Sequence, residues 1–478
     1  MITNLKPYAA YKDSGVPWLG QVPAHWEVRA VRHVTRPVKG RQPKALYSED
    51  EAPAGAQPYL TMEYLRRHKG TAKVYCALSD GLVTAAAGDV LLLWDGANAG
   101  EFFIAKDGVV SSTVALLSTD EHDRRYLYFM LKQCEPWLRA LSTGMGIPHV
   151  DGRILKQMQI CLPPHAEQAA IVRFLDWADR RMRRYIRAKQ KLIKLLEEYR
   201  KALIHQVVTG QIDVCTGKPY PAYKNSSVEW LGKVPGHWEV QKLKRLGEVK
   251  IGLTYAPSDV TGDDGTLVLR ASNIRDGAIV SADDVFVSKE VPQSLRVAEG
   301  DILICVRSGS RSLVGKVAII PPSFSGVTFG AFMSLLRSSL NPFIYWVFNS
   351  NMLTSVMAQF QTSTINQLTQ NDLRNLDIPL PPLPEQTTIA AYLDAQTAKI
   401  DAAIASARRE VELLREYRER LIVDVVTGKV DVREVAAQLP EEPPEEEAEL
   451  MDADEIAEGE ATDNDAAAEA LSEEEVEP

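Results

Sequence analysis

The sequence predicts an α+β protein built as a tandem pseudo-twofold repeat, in which two mixed α/β domains are separated by two long antiparallel coiled-coil helices. Three observations predict this fold. A long helical stretch occurs twice, a Trp-containing leading segment occurs twice, and a middle region with strand patterns follows each leading segment, at roughly residues 37–161 and 249–379. Internal repeats of this length indicate the architecture of the whole chain.

The repeated helical stretch spans residues 162–214 and 380–432, at a constant offset of 218 residues without a gap. Both copies begin with Leu-Pro-Pro, continue with Glu-Gln, and end on Val-Val-Thr-Gly. Apolar residues recur every seven positions, which is typical of a coiled-coil seam, and Gly210 and Gly428 are expected to end the helices. At 1.5 Å per residue, ~40 residues make a rod of roughly 60 Å. The predicted seam comprises Ile171, Leu175, Ala178, Met182, Tyr185, Lys189, Leu192, Leu196, Tyr199 and Leu203 in the first copy and Leu393, Ile400, Ile404, Ala407, Val411, Leu414 and Leu421 in the second.

The leading segments, residues 6–28 and 218–240, form a second repeat at an offset of 212. Their density of Pro, Gly and aromatic residues indicates an irregular packed segment. Each carries a His-Trp pair, at 25–26 and 237–238. These histidines could be ligands or bases, but no acid or nucleophile stands at a recognisable catalytic spacing. The preferred interpretation is therefore a histidine held beside a packed tryptophan.

The two middle regions share an outline but not a sequence. Glycine turns at 88 and 300 lead into apolar strands ending at Leu93 and Cys305. Residues 58–66 and 267–275 occupy equivalent places, and Val109–Leu117 and Val327–Leu336 are predicted as strand-like runs. Arg124–Leu141 and Pro342–Gln359 are predicted as helices, capped by Asp123 and Asn341.

Composition indicates a soluble globular protein, with 45% hydrophobic and 25% charged residues. The five scattered cysteines predict neither a disulfide framework nor a zinc site. The sequence shows no signal peptide and no apolar run of membrane-spanning length, so a cytoplasmic protein without membrane contact is expected.

The net charge of −10 is dominated by the C-terminal tail. Residues 441–478 contain 18 acidic residues and no Lys or Arg, whereas residues 1–440 carry 54 basic and 46 acidic residues. Such a segment cannot bury enough apolar surface to offset its ordering entropy, so it is predicted to be disordered. A solubilising role is preferred, with shielding of a basic surface or mimicry of nucleic-acid charge as the alternative.

Catalytic motifs are absent from the sequence. Gly309–Lys316 resembles a phosphate loop, but the spacing of its glycines is wrong and Val317 replaces the magnesium-binding hydroxyl. The Pro-Pro pairs at 163–164 and 381–382 precede His and Leu rather than the aromatic residue of an adenine methyltransferase loop. No nucleophile elbow, zinc-protease motif or paired-cysteine motif occurs. Neither catalytic residues nor metal ligands are predicted.

Polar and basic loops in the middle regions are candidates for DNA contact. Arg reads guanine edges and Asn or Gln reads adenine edges in the major groove, while Lys and Ser or Thr reach phosphates. The loops recur at matching places in both halves. The predicted DNA-binding residues are Lys39, Arg41, Arg66, Arg67, Lys69, His149, Arg153, Arg270, Asn273, Arg275, Arg307, Arg311, Asn366, Gln367, Gln370 and Asn371.

The repeated motifs resemble those of the specificity subunit of type I restriction–modification systems. The resemblance covers residues 6–433 and is carried by Val16-Pro-Trp-Leu-Gly with His25-Trp26, Val228-Glu-Trp-Leu-Gly with His237-Trp238, the two Leu-Pro-Pro…Glu-Gln runs, and Val-Val-Thr-Gly at 207–210 and 425–428. It implies two target-recognition domains, each followed by a helical spacer, with the spacers paired antiparallel. The acidic tail after Val435 matches no motif of the family.

The resemblance also implies partners and site positions. Loops 143–153 and 362–371 would present DNA contacts, and helices 165–207 and 383–425 would bind two methyltransferase (M) subunits, through which restriction (R) subunits join. The chain would have no catalytic activity and no cofactor of its own. S-adenosylmethionine, ATP and Mg would belong to the partner subunits.

The expected function is therefore recognition of an asymmetric bipartite target in double-stranded DNA. A coiled-coil scaffold without a DNA role and a stand-alone DNA-modifying enzyme are the alternatives. The expected division is 1–161, leading segment and target-recognition domain 1; 162–214, central helical spacer; 215–379, second leading segment and target-recognition domain 2; 380–435, distal helical spacer; and 436–478, disordered acidic tail.

Overall fold

The computed structural model describes residues 5–67, 70–141, 148–275, 277–308, 313–353, 355 and 367–440. These residues form two compact units. Unit 1 combines the described residues up to Lys189 with those from Arg409 onward, and unit 2 is Gln190–Arg408. Each long helix therefore contributes one half to each unit, whereas the sequence-based division treats each helix as a segment of its own.

The two long helices are His165–Val208 and Leu383–Val426, 44 residues each. They pair antiparallel within both units, as predicted. The ion pairs joining them show this, because residue numbers rise along one helix as they fall along the other: Asp179–Arg418 and Lys189–Glu410 in unit 1, and Glu197–Arg408 and Arg200–Asp401 in unit 2.

The helix seam follows the prediction at its ends and departs from it in the middle of the first helix. Tyr185, Leu192 and Tyr199 are 49%, 42% and 57% exposed, while Ile186 beside them is buried. A straight α-helix drifts about 20° per heptad relative to a strict seven-residue repeat. The buried position therefore shifts by one residue, from Tyr185 to Ile186. The second helix follows its predicted seam closely, with buried side chains at Leu393, Ile400, Ile404, Ala407, Val411 and Leu421.

Glycine ends both long helices, as predicted. Gly210 and Gly428 have φ of +73° and +76°, which an L side chain rarely adopts. A Cβ on Gly428 would lie 2.3 Å from Cδ of Pro23 and 3.2 Å from the Trp26 ring. The end of this helix is therefore packed directly on the first leading segment within unit 1.

Unit 1 contains a four-stranded antiparallel sheet and a five-stranded mixed sheet. In order across the sheet, the antiparallel strands are Phe102–Ile104, Val90–Leu93, Val114–Ser118 and Arg36–Lys39. Those of the mixed sheet are Tyr47–Ser48, Val74–Cys76, Gln57–Leu60, Gly108–Val110 and Thr84–Ala85. Two-stranded sheets pair Tyr11–Asp13 with Gln21–Pro23 and Glu27–Ala30 with Gln159–Leu162. The remaining helices of unit 1 are Met62–Arg66, Arg124–Lys132, Glu135–Ala140, Gly152–Gln157 and Arg433–Gln438, with 3-10 turns at Val31–His33 and Glu49–Glu51.

Unit 2 repeats this plan. Its antiparallel sheet has the order Glu248–Ile251, Met333–Arg337, Ile302–Cys305 and Val317–Ile319, and its mixed sheet has Val260–Thr261, Val285–Val287, Thr266–Leu269 and Thr328–Phe329. Two-stranded sheets pair Tyr223–Asn225 with Lys233–Pro235, Glu239–Lys242 with Asp377–Leu380, and Ile274–Arg275 with Ala278–Ile279. The remaining helices described in unit 2 are Asn341–Phe348 and Gln370–Arg374, with 3-10 turns at Leu243–Arg245, Pro257–Asp259, Ala271–Asn273, Gln293–Leu295 and Pro322–Phe324.

The glycine-led strands Val90–Leu93 and Ile302–Cys305 are fully buried at the centre of each antiparallel sheet, as predicted. The strand-like run Val109–Leu117 is wrong as a single strand. It divides between the mixed sheet and the antiparallel sheet at residues 111–113, and Val327–Leu336 divides in the same way. The sequence predicts a single strand here because both halves of the run are apolar, and they are apolar because each half faces a core.

The predicted helix caps have different outcomes. Asp123 caps Arg124–Lys132 by accepting hydrogen bonds from the backbone of Arg125 and Tyr126, as predicted. Asn341 is not a cap, because its side chain is 2% exposed and donates to the carbonyl oxygens of Gly300 and Leu336. The predicted helix from Arg124 to Leu141 is broken between Lys132 and Glu135. The predicted second helix is interrupted after Phe348, residues 352, 353 and 355 are helical again, and residues 354 and 356–359 lie outside the described part of the chain.

The chain remains packed beyond Val435, where the sequence predicts disorder from residue 436. Arg433–Gln438 is a helix, Ala436 and Leu439 are buried, and Arg173 donates to the carbonyl oxygen of Leu439 at 2.6 Å. Residues 441–478 lie outside the described residues. No helix in the described ranges has an apolar window long enough to span a bilayer.

Candidate nucleic-acid interface

A buried carboxylate ties the first leading segment to the start of the first long helix. Glu167 is 5% exposed and accepts hydrogen bonds from three aromatic side chains. Its Oε1 accepts from the Tyr8 hydroxyl at 2.5 Å and from the Trp26 indole at 3.0 Å, while Oε2 lies 2.8 Å from Nε2 of His25. Burial together with this carboxylate raises the pKa of the Tyr8 phenol, so the phenol stays a donor.

Unit 2 contains the same arrangement with the same atoms. Glu385 Oε1 accepts from Tyr220 at 2.5 Å and from Trp238 at 2.9 Å, and Oε2 lies 2.8 Å from Nε2 of His237. Both histidines therefore hold an acid of the long helix, buried at Glu167 and half-buried at Glu385, which supports the structural interpretation of the His-Trp pairs. We call each set of four side chains an aromatic clamp. The clamps fix where each recognition domain joins its helix.

In unit 1, the loop before the first long helix lies against the end of the central strand. Val150 donates its backbone N–H to the carbonyl oxygen of Trp94 at 2.9 Å, and His149 pairs with Asp95 in an antiparallel bridge. Lys39 reaches the Asp95 carboxylate at 2.5 Å, with 45% of the Lys39 side chain exposed. The strand end thus gathers two of the predicted DNA-binding residues, Lys39 and His149, around an acid.

The helix Gly152–Gln157 follows this loop and presents Arg153. Asp151 caps the helix through the Arg153 backbone N–H and pairs with the Arg153 guanidinium at 3.0 Å. The guanidinium holds the pKa of Asp151 below its usual range. Because the Arg153 side chain is 88% exposed, its charge faces solvent. Lys39, Asp95, His149 and Arg153 are together called the first strand-end cluster.

Unit 2 builds the same frame with other side chains. Leu368 donates its N–H to the carbonyl oxygen of Val306 at 2.8 Å, and Gln367 pairs with Arg307 in an antiparallel bridge. The Arg307 guanidinium lies 4.7 Å from the centre of the Phe332 ring. Thr369 caps the helix Gln370–Arg374, on which Asn371 is exposed. Arg307, Gln367 and Asn371 are called the second strand-end cluster.

Equivalent positions of the two clusters carry different chemistry. The backbone bridges equate Asp95 with Arg307 and His149 with Gln367, and the capped helices equate Arg153 with Asn371. The pairing of the outer strands in the two antiparallel sheets equates Lys39 with an apolar residue, Ile251. The shared frame with exchanged donors and acceptors can present two different hydrogen-bonding surfaces.

Three further candidates of unit 1 have partners outside the first strand-end cluster. Arg66 pairs with Glu101 at 2.6 Å and Arg67 pairs with Glu63 at 2.8 Å, with 47% of each Arg side chain exposed. The exposed Arg41 lies beside Gly81, where its guanidinium would be 2.8 Å from an added Cβ.

Two predicted DNA-binding residues of unit 2, Asn273 and Arg270, are buried in the domain interior, so they are not among the proposed DNA contacts. Asn273 is 0% exposed, and its amide donates to Val280, Ala282 and Asp284. Arg270 is 8% exposed and donates to the carbonyl oxygen of Asp283 at 2.6 Å. Their polarity serves the fold of the hairpin after the mixed sheet, because a buried polar group needs internal partners.

The remaining candidates vary in exposure. Arg275 is exposed on the hairpin Ile274–Ile279, while Gln370 is half-buried and donates to the carbonyl oxygen of Val249 at 2.8 Å. Lys69, Arg311 and Asn366 lie outside the described residues, as do the first part of loop 143–153 and residues 362–366 of the second loop.

Asp95 is the cluster member that sequence reasoning missed. It directly follows the Val90–Trp94 run, at the position where unit 2 has Arg307. The signal was the equivalence of the two glycine-led strands, which should have drawn attention to the residues beyond both strand ends. Asp95 is not identified from the sequence because basic residues, rather than acids, are expected to contact DNA.

Comparison with known proteins identifies the fold and the family. The family model described as "Type I restriction modification DNA specificity domain" matches residues 23–195 and 235–412. The chain is 29% identical over 427 residues to the type I restriction enzyme MjaVIII specificity subunit of Methanocaldococcus jannaschii, covering 86% of this chain and 95% of that protein. It is 30% identical over 207 residues to the EcoKI specificity subunit of Escherichia coli, covering 42% of this chain and 44% of that protein.

A solved structure shares the fold. A chain from a study of complex assembly and conformational transition of the type I restriction–modification system superposes with a TM-score of 0.65 at 18% identity, over 85% of this chain and 98% of that chain. The resemblance predicted from the repeated motifs is thus confirmed, and the chain belongs to the DNA specificity subunits of type I restriction–modification systems.

Proposed function

We propose that the two strand-end clusters read two different half-sites of a bipartite target in double-stranded DNA. The observation that supports this is the exchange of side chains on a shared frame, with Asp95, His149 and Arg153 in unit 1 against Arg307, Gln367 and Asn371 in unit 2. Because the backbone frames of the two clusters match, both clusters approach the duplex in the same way. Because their side chains differ, the clusters favour different bases. The target is therefore asymmetric.

The chemistry of each cluster suggests its role. Arg307 can donate two hydrogen bonds to guanine, and Gln367 and Asn371 can bond both polar groups of adenine. In unit 1, Asp95 can accept from the amino group of cytosine, while Lys39 and Arg153 neutralise phosphates. Arg41, Arg66, Arg67 and Arg275 add positive charge elsewhere on the domains and serve as phosphate contacts.

The long helices supply the docking surfaces for enzyme subunits. Leu195 and Tyr199 are 52% and 57% exposed, and Leu413 and Tyr417 are 54% and 38% exposed at the equivalent positions of the second helix. An exposed apolar pair that occurs twice suits two copies of one partner. These partners are two methyltransferase subunits, through which restriction subunits join.

The chain itself acts without catalysis. Its polar clusters are built on ion pairs and helix caps, and the carboxylates of Glu167 and Glu385 accept hydrogen bonds from aromatic side chains. S-adenosylmethionine, ATP and Mg are used by the partner subunits, which methylate adenine or cleave DNA at the site chosen here. The complex works in the cytoplasm on chromosomal or incoming DNA.

The experiment is a genome-wide map of methylated adenines in host cells with the gene, without it, and with Arg307→Ala and Arg153→Ala variants. Loss of the gene should erase one bipartite motif. Arg307→Ala should relax the base preference of one half-site alone, and Arg153→Ala should lower methylation at all sites without changing the motif. Unchanged methylation without the gene, or methyl transfer by the purified chain alone, would contradict the proposal.

A further inference from the structure

The outer strand of the antiparallel sheet in unit 2 ends on an exposed apolar side chain. Ile251 is 48% exposed and is the last residue of the strand Glu248–Ile251. The other exposed large apolar side chain described in residues 235–379 is Val260, on an edge strand of the mixed sheet. Single exposed apolar residues are common on protein surfaces, so the position of Ile251 decides whether it has a use.

The sheet register places Ile251 beside the second strand-end cluster. Strand pairing sets Ile251 in the row of the central strand that lies three residues before Arg307. In unit 1, the same pairing sets Lys39 in the row three residues before Asp95. The Lys39 ammonium reaches the Asp95 carboxylate at 2.5 Å, so a side chain at this position extends toward the strand end. By this equivalence, the Ile251 side chain starts toward Arg307.

The glycine that follows each of these two positions fixes the same backbone path. Gly40 and Gly252 both donate their N–H to the neighbouring strand of the sheet. A Cβ on Gly40 would collide with the carbonyl oxygen of Ser111, and a Cβ on Gly252 would collide with that of Gly330. The backbone is therefore held in the same way in both units. Unit 2 presents a branched alkyl group at the place where unit 1 presents an ammonium group.

The side chains of the second strand-end cluster suit an A·T pair. Gln367 and Asn371 can bond both polar groups of adenine in the major groove. An A·T pair also presents the 5-methyl group of its thymine in the same groove, and this methyl group is contacted by apolar side chains. Guanidinium and amide groups gain little from such a contact because they are polar, whereas the alkyl group of Ile251 can bury the methyl group.

We propose that Ile251 contacts the 5-methyl group of a thymine in the second half-site and so favours an A·T pair at that place. The inference rests on the proposed reading of DNA by the second strand-end cluster. Because Lys39 occupies this position in unit 1, the first half-site gains no methyl contact from it. Burying one methyl-sized group should tighten binding about fourfold.

The test uses duplexes in which deoxyuridine, which lacks only the 5-methyl group, replaces thymine. The full-length chain with its methyltransferase subunits is titrated with the target found in the methylation map, and each thymine of both half-sites is replaced in turn. Ile251→Ala is compared with Val260→Ala, which also shortens an exposed apolar side chain but lies on the mixed sheet. Thermal unfolding and far-UV circular dichroism confirm that both variants are folded.

One replacement in the second half-site should weaken binding about fourfold for the wild type and for Val260→Ala. Ile251→Ala should bind the unmodified target about fourfold more weakly and should not respond to that replacement. Its response to replacements in the first half-site should match that of the wild type.

A second half-site without thymine would overturn the inference, as would wild-type binding that no replacement in this half-site weakens. A replacement that still weakens binding by Ile251→Ala as much as it weakens wild-type binding would also overturn it, since the methyl group would then contact another residue. Equal binding of target and unrelated duplexes by the wild type would contradict the proposed function itself, and the inference with it.

Discussion

The indole N–H of Trp26 donates a 3.0 Å hydrogen bond to the buried carboxylate of Glu167, 141 residues away in the chain. The same bond joins Trp238 to Glu385 at 2.9 Å in unit 2. The two most distinctive repeats of the sequence, the His-Trp pair and the Glu-Gln pair, therefore contact each other in both halves. The clamp fixes the recognition domain on its helix before any DNA is bound.

Removing the clamp carboxylate should destabilise unit 1 more than unit 2. Glu167→Ala leaves the Tyr8, His25 and Trp26 donors without their acceptor in a site where Glu167 is 5% exposed. Tyr8 and Trp26 are buried, whereas the His25 side chain is 43% exposed and can bind water. Each unpaired buried group costs about 1–3 kcal/mol, so a loss of about 2 kcal/mol or more is expected. The side chain of Glu385 is 21% exposed, so water can replace part of what Glu385→Ala removes. Urea unfolding of both variants, followed by tryptophan fluorescence, measures the difference, and equal losses would contradict this account.

Gly428→Ala should be more destabilising than Gly20→Ala. Both glycines have positive φ, at +76° and +63°, so both substitutions strain the backbone by about 1 kcal/mol. The Cβ at Gly428 would lie 2.3 Å from the Pro23 ring, whereas no atom of the described residues lies within 4 Å at Gly20. We expect an additional loss of about 1–3 kcal/mol for Gly428→Ala, since overpacking a fixed contact costs this much. Thermal melts of the two variants and the wild type separate the cost of backbone strain from the cost of the steric clash with Pro23.

His205 should make the protein less stable in acid. Burial lowers the pKa of His205 below its usual 6.5. As pH falls through about 6.5, the unfolded chain therefore takes up a proton that the folded chain does not, and the free energy of unfolding decreases by up to about 1.4 kcal/mol per pH unit. The equivalent position of the second helix is Val423, which makes His205→Val a matched substitution. The variant should lose less stability between pH 7.5 and 5.5, and an identical pH profile would contradict the prediction.

Thiol labelling should modify one cysteine in the folded protein. Cys215 is exposed, while Cys76, Cys134, Cys161 and Cys305 are buried thiols that form no disulfide. Burial raises the pKa of the Cys161 thiol to about 12, so its reactive thiolate is scarce at neutral pH. Ellman's reagent at pH 8 should titrate one thiol in the native protein and five in urea. Cys215→Ser should abolish the native signal, and a second reactive thiol would show that a core opens readily.

The sequence repeats and the apolar periodicity were sufficient to predict the long-helix part of the fold. The two long helices, their antiparallel pairing and their glycine ends follow from an ungapped repeat with an apolar period. The exposure of Tyr185, Leu192 and Tyr199 did not, because a strict heptad count ignores the drift of a straight helix. The aromatic clamps were present in the sequence as repeats, but the pairing of residues 141 positions apart depends on tertiary structure.

The candidate interface was only partly predictable, for a physical reason. Polarity marks Asn273 and Arg307 alike, but the first bonds the fold internally and the second lies half-exposed at a strand end. Only the path of the backbone separates these uses. Asp95 was missed because a single acid does not indicate DNA contact until Lys39 and His149 are brought beside it.

A domain duplication tests the central claim most directly. Residues 23–161 would replace residues 235–379, with both junctions placed at equivalent points of the repeats, so that the chain carries the first recognition domain twice. Its methylated-adenine map, with the methyltransferase subunits supplied, would be compared with that of the wild type. The account predicts a palindromic target made of two inverted copies of the first half-site, with the second half-site lost. A target that remains unchanged and asymmetric would contradict it.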